Sequence, residues 1–223
     1  MILRANTATG RAMNDPKAIP TRPVGIAILA KAPIPGYAKT RLAHSIGAKR
    51  AADLQEKLIA RTLDTAINAH LGPVTLWATP DVSHPVFAAI AQRGAARVLP
   101  QPQGDLGLRM LHAAQASDSA TLIIGTDCPA LTPAHLRASA NALFDGFATC
   151  LIPAEDGGYV LIGMHEPQPV LFDNMPWGTS DVLRLTRERL RAHRLSCAEQ
   201  DALWDVDTAE DFKRLEDSRL LTR

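Results

Sequence analysis

Aromatic residues are scarce in this chain. Five Phe, three Trp and two Tyr make up 4% of its 223 residues. A core must therefore be built from Leu, Ile, Val and Ala, and any ring beside a candidate site asks for a reason. Cysteine is sparser still. Cys128, Cys150 and Cys197 cannot all pair within one chain, and none stands in a C-x-x-C, which argues against a zinc knuckle or a redox pair. Reduced thiols and a cytoplasmic location are the expectation. No apolar run approaches the ~18 residues of a membrane span, and the first residues lack the apolar stretch of a secretory signal. An excess of one charge is missing too: 24 Lys and Arg face 23 Asp and Glu, a net +1. That is no electrostatic footprint for nucleic acid or for an anionic membrane.

What is present suits one folded unit. Apolar residues reach 46% and charged residues 21%, enough to bury a core, and the length fits one sizeable domain. Residues 1–22 read as a flexible basic extension. Arg4, Arg11, Lys17 and Arg22 stand there against Asp15 alone, a local +3, which leaves the remaining residues, 23–223, at −2. A mildly acidic domain that handles phosphates needs a local basic loop or a bound cation.

Beyond the extension, strand and helix patterns alternate. The runs at 24–30, 73–79, 96–99 and 121–126 read as strands, the first as a buried parallel one. Ile59, Leu63, Ala66 and Ile67 recur at helical spacing within 49–69, with Leu54 and Leu58 widening the face. Further helices are expected over 84–93 and to about 117. Thr132-Pro133 opens one running to about 144. Two late strands, 148–154 and 159–164, flank Glu155-Asp156-Gly157-Gly158. Thr179/Ser180 is expected to cap a helix to about 193, and Thr208 with Asp211 to start the last one. Repeated βα units imply an α/β domain with a mixed, mostly parallel sheet flanked by helices and a ligand at the carboxyl ends of the strands.

Common catalytic signatures are absent. There is no G-x-G-x-x-G, no H-E-x-x-H and no G-x-S-x-G. Gly36-Tyr-Ala-Lys39-Thr40 lacks the first glycine of a P-loop and spaces its glycine wrongly from the lysine. The chemistry must lie in loops that follow strands. Lys31-Ala-Pro-Ile-Pro-Gly36-Tyr-Ala-Lys39-Thr40-Arg41 places three cations just past the first strand. Such a loop suits a di- or triphosphate, with Lys as a point charge and Arg as a fork. Asp127, in Gly125-Thr-Asp-Cys-Pro129, ends the most confident strand, where an acid suits Mg²⁺ on nucleotide phosphates. Trp204-Asp205-Val-Asp207-Thr208 offers a partner for Asp127, although Asp207 could instead serve the following helix. In Asp156-Gly157-Gly158 the glycines allow close approach to a ligand and the acid suits sugar hydroxyls; a hairpin turn reads equally well. Gln103-Gly104-Asp105-Leu-Gly-Leu-Arg109 and Trp177-Gly-Thr-Ser180 are loop-to-helix junctions that fit either anion binding or plain capping. Four of the ten aromatics (Tyr37, Tyr159, Trp177 and Trp204) lie in these loops, where stacking on a base or sugar has a use for them.

As an ordered set, KAPIPGYAKTRL, QGDLGLRM, GTDCPAL, PAEDGGYVLIG, WGTS and WDVDT resemble a family of small bacterial GT-A-like transferases. That family is known as glycosyltransferases and is associated with radical-SAM/selenodomain and arsenosugar gene clusters. The resemblance covers roughly residues 24–215. More distantly the chain is similar to guanylyltransferases of cofactor biosynthesis. The resemblance implies a single-domain Rossmann-like GT-A, or nucleotide-diphosphosugar transferase, fold with Mg²⁺ or Mn²⁺ as cofactor. By position it implies phosphate or nucleotide contacts at Lys31, Gly36, Lys39, Thr40, Arg41, Gly104, Asp105, Arg109, Gly157 and Gly158. Metal ligands fall at Asp127 and Asp207, and catalytic roles at Lys31, Arg41 and Asp156. One departure stands out: many GT-A glycosyltransferases carry an Asp-x-Asp, and here the central strand ends in a single acid.

Three functions fit. The resemblance favours glycosyl transfer from a nucleotide-sugar to a small-molecule acceptor, with Asp156 or Glu155 as base. The local chemistry favours nucleotidyl transfer, in which an acceptor attacks an NTP and releases pyrophosphate. A non-catalytic nucleotide-binding module is the third.

Overall fold

The computed structural model describes residues 23–221; the extension read in 1–22 lies outside them. One seven-stranded sheet organises the chain, in the order β3-β2-β1-β4-β6-β5-β7. The strands are β1 (Gly25–Lys31), β2 (Val74–Thr79), β3 (Arg97–Pro100), β4 (Thr121–Ile124), β5 (Thr149–Pro153), β6 (Tyr159–Met164) and β7 (Cys197–Glu199). Only β6 runs against its neighbours β4 and β5. The mixed, mostly parallel sheet expected from the late strand pair is thus present. The helices are α1 (Thr40–Ile46), α2 (Ala48–Ala69), α3 (Pro85–Gln92), α4 (Leu106–Gln115), α5 (Pro133–Phe144), α6 (Val182–Ala192) and α7 (Ala209–Ser218), with a 3-10 turn at Pro169–Leu171. None of the described helices is long and apolar enough to cross a membrane.

The twofold alternation of side chains along a strand distributes the core over both faces of the sheet. From β1, Ile26, Ile28 and Ala30 join Ile59 and Leu63 of α2, Phe87 of α3 and Leu136 of α5 on one face. Ala27, from the same strand, joins Met110 of α4, Ile123 of β4, and Leu183 and Leu190 of α6 on the other. A third cluster holds α7 to the body: Leu215 packs with Leu42 of α1, Leu54 and Leu58 of α2, and Trp204 and Val206.

Two caps follow their sequence signals. The Thr132 hydroxyl accepts from the His135 amide at the start of α5, and the Thr208 hydroxyl accepts from the Asp211 amide at the start of α7. A third does not. Helix α6 starts at Val182 behind Asp181, without a side-chain cap, and the Thr179 hydroxyl donates to the Pro176 carbonyl instead. Helix α1 and strand β7 were not anticipated. The first continues directly from the Lys31–Lys39 loop, and the second has only three residues.

Gly163 explains how β6 fits between its neighbours. A Cβ there would meet the Cys150 Sγ at 2.5 Å and a Leu122 methyl at 2.6 Å, from the two residues paired with it on β5 and β4. Gly163→Ala is expected to cost ~1–3 kcal/mol through overpacking, read as a lower urea midpoint at unchanged m-value.

Candidate active site

A cleft of about 620 Å³ opens over the carboxyl ends of β1 and β4. Its wall takes Lys31 from the end of β1, Tyr37, Lys39, Thr40 and Arg41 from the segment that follows, Leu106 and Arg109 from α4, and Gly125–Cys128 from the loop after β4. Asp156, Tyr159, Gly178, Asp205 and Asp207 also line it, with Gln55 and Gln101. The carboxyl-end position expected of an α/β sheet therefore gathers residues that lie far apart in sequence. Not every expected position reaches the wall. Gly36, Gly104, Asp105, Gly157 and Gly158 lie off it. The Asp105 side chain is used locally, accepting from the Leu108 amide as the cap of α4.

Lys39 sits at the centre. It caps α1 in the left-handed region, at φ 49°, a conformation that costs a side-chain-bearing residue ~1–2 kcal/mol. That backbone turn directs the side chain inward, where it is 4% exposed. Its ammonium lies 2.5 Å from Asp127 Oδ1 and 3.3 Å from Asp207 Oδ1, and donates to the Val206 carbonyl at 2.7 Å. All three ammonium protons thus have an oxygen. Burial alone would lower the Lys39 pKa; Asp127 and then Asp207 outweigh it, so the pKa is raised and the ammonium stays charged. The loop before α7 is fixed to the same place by a second bond, from the Val206 amide to the Asp127 carbonyl at 2.9 Å. Asp207 is accordingly not the cap of α7. Thr208 is the cap, and Asp211 completes the capping box, its carboxylate accepting from the Asp207 and Thr208 amides.

The expected triad of phosphate cations is thereby divided. Lys39 is committed to acids, whereas among the described residues neither Lys31 nor Arg41 forms a salt bridge. Arg109 is held by neutral partners: it donates to the Gly104 carbonyl and to the Gln101 side chain. Three cations on the cleft wall are therefore not paired with carboxylates among the described residues.

On the acidic side the balance is reversed. Asp205 is half-buried, and its carboxyl is pushed up to about 7 by burial first and then by the nearby charges of Asp156, Asp207 and Asp127. One ammonium does not neutralise four carboxylates. Glu155 is withdrawn from this group. Its carboxylate accepts from Arg214 at 2.7 Å, and the Arg214 hydrogen bonds hold its pKa below the usual range. Arg214 in turn lies 4.5 Å over the Trp204 ring, so Trp204 is a buried platform for α7 and not a wall of the cleft. Trp177 also stands behind the wall, stacked on Phe172 and edge-on to Tyr159.

The turn carrying Asp156 is rigidly seated. The Asp156 carboxylate accepts from the Gly158 amide at 2.9 Å. Gly157, at φ 93°, brings its backbone so close to Ser180 that a Cβ would lie 2.4 Å from the Ser180 carbonyl oxygen. The Gly157 carbonyl also accepts from the Leu183 amide. The paired glycines thus serve both a turn and a close approach, but the approaching group is the chain's own backbone.

Two glutamines escaped sequence reasoning. Gln55 of α2 is 3% exposed, and its amide bridges the Lys31 carbonyl and the Thr126 hydroxyl, tying the ends of β1 and β4. Its signal was a polar residue inside the apolar stripe of α2. Gln101 donates to the Trp77 and Ala30 carbonyls and receives Arg109. It lies outside every motif.

The fold and this cleft place the chain in a defined structural class. A protein from Desulfovibrio desulfuricans G20, provisionally named a nucleotide-diphospho-sugar transferase, superposes with a TM-score of 0.79 at 28% identity, over 88% of this chain and 87% of that one. A nucleotidyl transferase from Methanothermobacter thermautotrophicus shares the fold, with a TM-score of 0.61 at 16% identity over 90% and 99% of the two chains. So does a cytidylyltransferase from Leptospira borgpetersenii, at 0.60 and 16% over 88% and 86%. The Rossmann-like nucleotide-diphosphosugar transferase fold implied by the motifs is the fold observed. Residues 62–179, more than half of the chain, match the model of the family described as "Uncharacterized protein conserved in bacteria (DUF2064)", and the chain belongs to that family. No curated protein matches it.

The raised Asp205 pKa has a consequence for stability. Its ordinary value is 3.8 and its folded value about 7, so between these the folded state holds more protons than the unfolded one. Stability from this group falls as pH rises through that window. Chelator-treated protein is expected to have a higher unfolding midpoint at pH 5 than at pH 8. Asp205→Asn is expected to flatten that difference.

Proposed function

We propose that the protein is a metal-dependent transferase with a nucleotide donor, and that the reaction is nucleotidyl transfer to a small anionic acceptor. The observation that carries this reading is the split acid pair. Asp127 stands alone after β4, and its partner Asp207 arrives from the loop before α7, where an Asp-x-Asp would put both acids on one loop. Lys31, Arg41 and Arg109 line the same cleft, enough charge for a triphosphate.

The acids fit a divalent cation. The donor set is all oxygen, as Mg²⁺ or Mn²⁺ prefers, and Asp127, Asp156, Asp205 and Asp207 share the cleft wall with only the Lys39 ammonium bridged between two of them. Among the described residues no group of three or more His, Cys, Asp or Glu is placed to hold a metal by itself. That suits an ion sharing Asp127 and Asp207 with phosphate oxygens. When bound, it supplies charge compensation for the reacting phosphates.

The side chains perform the rest. Lys31 and Arg41 bind and orient the triphosphate, and Arg109 extends the positive wall. An acceptor phosphate or carboxylate oxygen forms the new bond to the α-phosphorus in line with the leaving group. The bond from that phosphorus to the α–β bridging oxygen breaks, and pyrophosphate departs with the electron pair. An acceptor already anionic needs no base, in keeping with the withdrawal of Glu155 to Arg214.

A second reading is glycosyl transfer from a nucleotide-sugar. It is favoured by the 28% identity to the Desulfovibrio protein and by Asp156 on the cleft wall, where it suits a sugar hydroxyl. The products separate the two. Turnover of a nucleoside triphosphate with pyrophosphate release supports the first; nucleoside diphosphate release from a nucleotide-sugar supports the second and contradicts the first. Asp127→Asn is expected to abolish Mg²⁺-dependent nucleotide binding at modest cost in stability. Arg41→Ala is expected to weaken nucleotide binding about tenfold, less so at high salt. Unchanged affinity in either variant would remove that residue from the site.

A further inference from the structure

The Lys39 ammonium is a cation where a cation is wanted. Three oxygens, from Asp127, Asp207 and Val206, converge on its Nζ at 2.5, 3.3 and 2.7 Å. Lysine suits this position because its charge is compact and its three donors rotate freely, whereas the flat fork of arginine would not fit three convergent oxygens. The left-handed backbone at φ 49° and the near-complete burial of the side chain show that the fold accepts strain to hold it there.

We propose that Lys39 is an internal counter-ion that competes with the divalent cation for Asp127 and Asp207. The metal is then taken up together with the donor's phosphates and not by the free protein. This rests on the reading of Asp127 and Asp207 as metal ligands. In the free protein the ammonium neutralises part of the charge that would attract a divalent ion and occupies the space between the two carboxylates. The acids do not displace it unaided, since among the described residues no three are placed to hold a metal ion together. Phosphate oxygens bring the missing ligands, and they bring a negative charge to which the displaced ammonium can turn. The lysine expected from sequence to meet phosphate would do so only as a consequence of this exchange.

The test needs no substrate. Mn²⁺ binding to the free protein is followed by loss of the free-ion signal in electron paramagnetic resonance, for the wild type, Lys39→Met and Lys39→Gln. Two variants are used because removing the ammonium leaves two acids unpaired; glutamine keeps hydrogen bonding without the charge. Both are expected to bind Mn²⁺ about tenfold or more tightly than the wild type, and Mn²⁺ is expected to raise their unfolding midpoints more than it raises that of the wild type. Equal or weaker Mn²⁺ binding by the variants, with measurable binding by the wild type, overturns the competition and leaves the acids as metal ligands. No Mn²⁺ binding by any of the three proteins, with or without inorganic pyrophosphate, overturns both.

Discussion

A single lysine holds the candidate site together. Lys39 leaves the loop after β1, lines the cleft and ends between Asp127, from the loop after β4, and Asp207, from the loop before α7. Three segments with no sequence proximity meet on one nitrogen. The contact is not free of cost, because a left-handed residue and a desolvated ammonium both oppose it. Its worth lies between the ~1 kcal/mol of an exposed pair and the ~3–5 kcal/mol lost on breaking a fully buried one, since both acids remain about half exposed. Energetics of that size explain placement better than stability. The pair decides where the acids point, and the core clusters beneath keep the strands in place.

Around that centre the molecule separates charge. Among the described residues Lys31, Arg41 and Arg109 form no salt bridge with a carboxylate, while Asp156, Asp205 and Asp207 crowd one another. Left to itself such an arrangement would relax into surface ion pairs. Packing prevents it: Gln55 and Gln101 pin the strand ends by neutral bonds, Arg214 occupies Glu155, and Gly157 locks the Asp156 turn against Ser180. A near-zero net charge thus conceals a polarised cleft, suited to a ligand that carries phosphate and arrives with a metal.

Much of the fold could be read from local pattern. Strand β4 and helices α5 and α7 carry strong local signals, and their edges fall within a few residues of expectation. Helix α1 was hidden because Thr40-Arg41-Leu42 looks like the tail of a basic loop, and only its packing on α2 and α7 makes it a helix. Strand β7, with three residues, is too short to carry a periodic signal; pairing with β5 creates it. In the site, Asp127, Arg41 and Asp207 were legible because each follows or precedes a recognisable element. The direction of Lys39 was not. A cation two residues from an arginine reads as a phosphate contact, and nothing local shows that its partners lie far along the chain. Trp204 and Gly157 likewise carry no local sign of their neighbours Arg214 and Ser180.

The central claim is that this polarised cleft receives a nucleotide with a divalent ion. The most direct measurement is a thermal-shift panel of nucleoside triphosphates and nucleotide-sugars on the wild-type protein, each with Mg²⁺, with Mn²⁺ and with chelator. Ligands that bind only the folded state raise the unfolding midpoint by mass action. At least one nucleotide is expected to raise it with a divalent ion present and to lose that effect in chelator. A flat response across the whole panel, or an equal shift with and without metal, would contradict the account.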